Sequence, residues 1–388
     1  MLLLCAGLPC GASLALTLLN ALLPSWAGFN YAVDPLAPAH ALWGIAGALL
    51  LAVPSLPPLG LEPLGLALAA AAAGTIGAPR TPLPLLPWLC GIVVFARARE
   101  AAGRDPGFPL RFARLSAGIA AVVALHGIAQ SMWNSVLTSV RLVNPFGTRV
   151  LSTLGNPTFL ADYLALQLPI MLALARAARG PIAFGAWAAG AAAVAAALAA
   201  SGSKGGQLAA VAATAFWAVT AVRSKALSRG RWIVLGAGAA LLIAALTPLA
   251  PSIAASVTRW TGPGERFSFT QRLQIAAGAG RLLARAPLRG HGTGALPVLF
   301  PAVQPPALFR SLGAALSVNH AHDDYAETAC DLGLPVLGLL LAAGLLALRS
   351  VGGGPLADGL RASLVAAACS MGTNFVLYVP SSAFFVWT

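Results

Sequence analysis

Long, continuous apolar runs constrain this chain more than any other feature. Runs of about 17–22 residues, rich in Ala, Leu and Gly, recur along the sequence, and each is long enough to cross a bilayer as a helix. Strands of a membrane barrel would instead alternate apolar and polar residues. Hydrophobic residues make up 58% of the chain and charged residues 9%, far from the balance of a soluble domain. The sequence therefore predicts an all-α polytopic membrane protein.

Hydropathy predicts about 11 spanning helices, with Ser381 to Thr388 resembling the opening of a twelfth that is cut short. Met1 to Leu23 lacks a basic start and a small-residue cleavage site, so it is interpreted as the first span and not as a signal peptide. All of residues 1–388 are taken as one integral membrane domain. The predicted spans lie near 2–23, 39–57, 61–78, 83–96, 112–133, 157–175, 181–200, 205–222, 232–250, 332–348 and 357–379.

The positions of Lys and Arg orient these helices. Basic residues gather at 97–114, 176–179 and 223–231, and again at Arg349. The positive-inside rule places these loops, and the N-terminus, in the cytoplasm. A long loop, 251–331, then lies on the opposite face. Topology thus accounts for much of the net charge of +13, and no basic module of a nucleic-acid-binding type is present.

The long loop is expected to contain short helices. Ser268 to Ala286 has helical character, and Ser268 with Gln271 resembles a capping box. Arg281, Arg285 and Arg289 are spaced by four, so they share one helical face only if the helix continues past Pro287.

The densest polar cluster of the chain closes this loop. It comprises His320-Ala321-His322-Asp323-Asp324-Tyr325, followed by Glu327 and by Asp331. An imidazole can act as a general base at neutral pH, and the neighbouring acids can orient it. His322 is the leading candidate, whereas His320 has a stronger interpretation as a solvated loop residue. A third metal ligand is not evident, and the five cysteines form no CxxC pair, so no metal site is expected.

Cations on the same predicted face suit a phosphate group. Lys204 stands in a Gly- and Ser-rich junction at a helix start, where backbone N–H groups favour anions. Arg272 lies on the predicted loop helix, and arginine binds phosphate in a bidentate manner. Arg149 adds charge ahead of Asn156. The plainer alternatives are a snorkelling lysine for Lys204 and lipid-headgroup contacts for some of the arginines.

Four motifs in order resemble the O-antigen ligase and polymerase family of bacterial membrane glycosyltransferases. The first two are Gly155-Asn156-Pro157-Thr158 and Ser201-Gly202-Ser203-Lys204-Gly205. The third is Gln271-Arg272-Leu273 with Pro287-Leu288-Arg289-Gly290-His291-Gly292, and the fourth is the His320 block with Asp331-Leu332-Gly333. Lysine replaces the family's arginine at 204, and aspartate replaces its asparagine at 323.

The resemblance implies a transferase that needs no metal or cofactor. The donor would be an undecaprenyl-diphosphate-linked glycan, used on the periplasmic face of the bacterial inner membrane with inversion at the sugar carbon. Lys204 and Arg272 would hold the diphosphate, and His322 would activate the acceptor hydroxyl. Further substrate contacts are predicted for Arg289, Arg149, Asn156, His320, Asp323, Tyr325 and Glu327.

Several acceptors and two other functions stay open at this point. Lipid A core, a growing glycan and a protein hydroxyl would make the chain a ligase, a polymerase or a protein O-oligosaccharyltransferase. A small-anion transporter, for example of bicarbonate, is the alternative from another class, although a carrier favours ionisable groups near the bilayer midplane and internal repeats. A non-catalytic scaffold or a partner-dependent polymerase component is the third hypothesis.

Overall fold

A computed structural model describes residues 86–136, 149–223, 254, 263–312 and 318–387. Within these ranges the regular structure is helical and contains no strand. Four of the described helices are long and apolar enough to cross a membrane, which confirms the all-α polytopic class. The spans predicted at 2–23, 39–57, 61–78 and 232–250 lie outside the described residues. The helices are α1 (Leu86–Arg104), α2 (Phe108–Val136), α3 (Pro157–Ala177), α4 (Pro181–Ser201), α5 (Lys204–Arg223), α6 (Pro263–Arg285), α7 (Leu296–Leu299), α8 (Pro306–Leu312), α9 (Asp324–Leu332), α10 (Leu334–Ser350), α11 (Pro355–Met371) and α12 (Pro380–Trp387).

The chain divides into two compact units, and each is described by itself. The first unit comprises residues 1–42, 102–260 and 351–370, and the second comprises residues 43–101, 261–350 and 371–388. The prediction of one membrane domain with a periplasmic loop at 251–331 stays a prediction.

Helix α3 forms the core of the first unit. It packs against α2, α4 and α5, and nearly all of its side chains are buried. Asn156 caps it by accepting a hydrogen bond from Thr158 N at 2.8 Å, and Pro157 occupies the first helical position, where its missing N–H costs nothing. At its other end, Arg176 forms an ion pair of 2.7 Å with Asp358 of α11. The predicted spans near 112–133, 157–175, 181–200 and 205–222 correspond to α2, α3, α4 and α5.

In the second unit, α6 packs through one stripe of residues. Ile275, Ala279 and Leu282 recur at helical spacing and lie in one apolar cluster with Phe300 and Cys330. Gly278 lies on the same side, where a Cβ would stand 2.5 Å from Phe300. This packing fixes the rotation of α6 and therefore the side on which Arg272 projects.

The predicted start of α6 is wrong, and the condition attached to Arg289 is not met. The helix begins at Pro263, five residues before Ser268, so Ser268 and Gln271 do not form a capping box. A proline at the first helical position starts the helix instead. The helix ends at Arg285, because the ring of Pro287 prevents a further turn. Arg289 therefore does not share the helical face of Arg281.

The predicted span at 357–379 is also corrected. Helix α11 ends at Met371, and a short 3-10 turn, Val376–Tyr378, precedes α12. The carbonyls of Thr373 and Asn374 accept hydrogen bonds from Arg272 and from Asp324 N, respectively. These carbonyls are thereby committed to tertiary partners and do not continue a helical ladder.

A close helix contact in the first unit gives a test of this packing. A Cβ added at Gly206 of α5 would lie 2.5 Å from the Ala161 Cβ of α3. We expect Gly206→Ala to destabilise the protein by about 1–3 kcal/mol, the usual cost of overpacking. Gly185→Ala in α4 is the matched control, since nothing lies within 4 Å of its added Cβ and alanine favours a helix. Thermal melting in detergent measures both variants, and equal melting temperatures would contradict the packing.

Candidate active site

Glu327 organises the loop that carries both histidines. Its side chain is only 3% exposed, and a buried carboxylate needs hydrogen-bond donors. His320 Nδ1 lies 2.8 Å from Glu327 Oε1, and Ala321 N donates to Glu327 Oε2 at 2.8 Å. The carboxylate thus draws the chain back over the first turn of α9.

The start of α9 explains the aspartate at position 323. Asp323 is the N-cap, and its Oδ1 accepts a hydrogen bond from Ala326 N at 3.0 Å. Asparagine and aspartate cap a helix equally well, and a negative charge is favourable at a helix N-terminus. The departure from the family's asparagine therefore preserves the local backbone. Tyr325, also predicted to contact substrate, is half-buried in the first turn of α9.

His322 has a strained backbone and an unusual protonation equilibrium. Its φ of 54° lies in the left-handed region that non-glycine residues seldom adopt, a kind of strain that clusters at functional sites. Burial, together with the charges of Arg272 and His320, lowers the pKa of His322 to about 4 against the opposing effect of Glu327. The imidazole is therefore neutral at physiological pH.

Arg272 lies in the same cluster. It is held from α6 by a hydrogen bond of 3.0 Å between its Nη1 and the Thr373 carbonyl oxygen. This hydrogen bond holds the guanidinium at the segment that follows α11. The structure thus brings together Arg272, His320, His322, Asp323 and Glu327 of the predicted site.

A segment that no motif singles out completes this cluster. The ring of Phe375 stacks on His320 with centroids 4.3 Å apart and meets the edge of His322 at 5.3 Å. Asp324 N donates to the Asn374 carbonyl at 3.1 Å, and Leu377 N donates to Asp324 Oδ2 at 3.1 Å. The signal in the sequence was the polar break Gly372-Thr373-Asn374 inside a long apolar stretch.

Asp331 anchors the glycine-rich turn that follows Arg289. Gly294 N donates to Asp331 Oδ2 at 2.7 Å, and Gly292 N donates to the Asp331 carbonyl at 2.8 Å. Gly290 has a φ of 64°, and a Cβ there would lie 2.3 Å from the Asp331 carbonyl oxygen. Burial, reinforced by Glu327, raises the pKa of Asp331 well above its ordinary value. Arg289 itself is exposed.

The remaining predicted residues belong to the first unit. Arg149 Nε donates to the Ser201 carbonyl at 2.7 Å, which ties it to the junction that carries Lys204. Gly202 turns the chain there with a φ of 63°, and Lys204 is the first residue of α5. Asn156 uses its side chain as the cap of α3. The described residues contain no group of three or more His, Cys, Asp or Glu side chains arranged to hold a metal ion.

The long apolar helices among the described residues define a multi-pass helical membrane protein. The sequence profile of the O-antigen ligase family matches residues 189–341. Over this part of the chain, the match confirms the resemblance predicted from the motifs. No curated protein and no solved structure matches the chain. The matched region contains Lys204, Arg272 and both histidines, and it ends before Phe375.

The depressed pKa of His322 predicts how stability depends on pH. The folded pKa of about 4 lies below the ordinary 6.5, so the unfolded chain takes up the proton first. This group therefore destabilises the fold as pH falls from about 6.5 to about 4, and it has no effect above that window. We expect the melting temperature of His322→Gln to fall less than that of wild type between pH 7 and pH 4.5. An equal fall in both would contradict the assigned protonation state.

Proposed function

We propose that the protein is a glycosyltransferase of the O-antigen ligase type. It moves a glycan from an undecaprenyl-diphosphate carrier to an acceptor hydroxyl on the periplasmic face of the bacterial inner membrane. The observation that carries the proposal is a neutral imidazole, His322, held in one cluster with a fixed guanidinium, Arg272. A base and an anion-binding group are the two elements that displacement of a diphosphate requires.

The transfer step balances with the groups of this cluster. The acceptor oxygen forms a bond to the anomeric carbon while the bond from that carbon to the diphosphate oxygen breaks. His322 takes the acceptor proton, and the departing diphosphate carries the released electron pair. Arg272 stabilises that negative charge through its N–H groups. A single displacement inverts the configuration at the sugar carbon, and no metal enters this scheme.

Donor binding itself would tune the base. In the protein alone, the Arg272 charge helps to keep the pKa of His322 at about 4, which makes the imidazole a weak proton acceptor. A bound diphosphate brings negative charge next to Arg272 and offsets that contribution. The pKa of His322 then rises towards neutrality when the donor is in place. Protonation by bulk solvent is thereby suppressed until the substrate is bound.

His320 has a separate role in this proposal. Its Nδ1 is engaged by Glu327, and its ring is stacked on Phe375. A carboxylate at one imidazole nitrogen fixes the tautomer and ring orientation. We assign His320 to orienting the substrate through Nε2, together with Tyr325 and Arg289. Lys204, at the start of α5, is assigned to phosphate binding on the strength of the resemblance and of the helix N-terminus.

A transfer assay tests the proposal and identifies the acceptor. Membranes containing wild type or a variant receive a polyprenyl-diphosphate glycan, with lipid A core, free glycan or peptide as the acceptor. We expect His322→Ala and Arg272→Ala each to lower the rate about 10²–10⁴-fold. Arg349→Ala is the control, since Arg349 is exposed at the far end of α10. Full activity of His322→Ala, with loss in His320→Ala, would make His320 the base instead.

The pH dependence of the rate gives a second prediction. The acid limb of kcat/KM reports the free enzyme, so we expect it near the His322 pKa of about 4. The acid limb of kcat reports the donor complex and should lie at higher pH, because the diphosphate offsets the Arg272 charge. We expect Arg272→Gln to move the acid limb of kcat/KM to higher pH, because the substitution removes a charge that lowers the pKa of His322. If the acid limbs of kcat/KM and kcat lie at the same pH in wild type, donor binding does not raise the pKa of His322.

A further inference from the structure

Helix α10 marks a membrane boundary within the second unit. It is an apolar helix of 17 residues, about 25 Å long at 1.5 Å per residue, which is close to the thickness of the hydrocarbon core. Leu339, Leu341, Leu345 and Leu346 of α10 are all exposed, at 46–52%, as expected of a surface that faces lipid. Its first residue, Leu334, therefore lies near the headgroup region of one leaflet.

The residues that follow α6 are hydrogen-bonded to the start of α10. Leu334 N donates to the Pro287 carbonyl at 2.8 Å. Gly333 also packs closely against residues 288–289, since a Cβ at Gly333 would lie 2.4 Å from the Leu288 carbonyl oxygen. These backbone contacts hold residues 287–289 at the same depth as the start of α10. Leu288, 73% exposed, is thus an apolar side chain presented at the membrane surface.

The charges on this part of α6 have one sign. Residues 270–312 contain five arginines and no Asp or Glu. Arg281 and Arg285 are both exposed and lie one turn apart on the same face of α6. Basic side chains beside an exposed apolar residue are the pattern of an interfacial helix end, in which the apolar group inserts and the cations meet headgroups. The helix dipole also favours Arg285 at this end, but it does not account for the exposed leucine.

We propose that residues 281–288, with Arg281, Arg285 and Leu288 as the contacts, form a docking surface for anionic phospholipid headgroups. Each guanidinium would donate to phosphate oxygens, and Leu288 would enter the acyl boundary of the same leaflet. The bound lipid anchors the end of α6, the helix that also carries Arg272. Arg281, Arg285 and Leu288 are not among the residues assigned to the transfer reaction, so the test of lipid binding does not depend on that reaction.

Lipid retention by the purified full-length protein tests the proposal. The delipidated protein in neutral detergent is titrated with dioleoylphosphatidylglycerol or with dioleoylphosphatidylcholine, and bound lipid is counted by native mass spectrometry. We expect a preference for phosphatidylglycerol that weakens about 30-fold in R281Q/R285Q, given the usual contribution of a basic residue at an anionic surface. R223Q/R349Q is the matched control, because it removes two exposed arginines elsewhere and should retain most of the preference.

Three results would overturn the proposal. They are unchanged retention in R281Q/R285Q, an equal loss in both double variants, and complete competition by inorganic phosphate, which would indicate a site for small anions. Leu288→Gln provides a second variant that keeps both cations and removes only the apolar contact. It should lower phosphatidylglycerol retention several-fold, and retention equal to wild type would exclude insertion of Leu288.

Discussion

The buried carboxylate of Glu327 is the constraint on which the site depends. A charged group removed from water must find hydrogen-bond donors, and the nearest donors are the imidazole of His320 and the backbone N–H of Ala321. These two hydrogen bonds hold the preceding loop over the N-terminus of α9. The same fold leaves His322 in a left-handed conformation. One buried acid thus sets the positions of both histidines.

The electrostatics of the cluster follow from a chain with few charges. Arg272 projects from a helix whose apolar stripe is fixed against Phe300, and its charge helps to keep His322 neutral. The cluster is therefore set up for an anion before one arrives. Under the proposed function this arrangement suits a diphosphate donor, because a bound anion would raise the pKa of His322. Glu327 and Asp331 are both buried, and each accepts a hydrogen bond from a backbone N–H group.

The strengths and failures of the sequence predictions have a common physical basis. Spans such as α3, α4 and α5 were placed within a few residues, because hydrophobic length decides whether a segment crosses a membrane. The start of α6 was missed because Pro263 begins the helix ahead of Ser268. The end of α11 was missed because hydrogen bonds from distant residues decided it. Arg272 and Asp324 N donate hydrogen bonds to the carbonyls of Thr373 and Asn374, respectively. Partners so distant in sequence cannot be predicted from a local pattern.

The sequence by itself determined the membrane class, the principal helices, the resemblance to the O-antigen ligase family and the polar block from His320 to Glu327. These features depend on hydrophobic length and on short motifs, which are local properties of the chain. Only the tertiary structure decided which charges meet. It placed Phe375 against both histidines and Arg272 beside His322, although more than a hundred positions separate Arg272 from Phe375. Burial and Coulomb interactions act between groups that are close in space, so the protonation state of His322 follows from the fold and not from its neighbours in sequence.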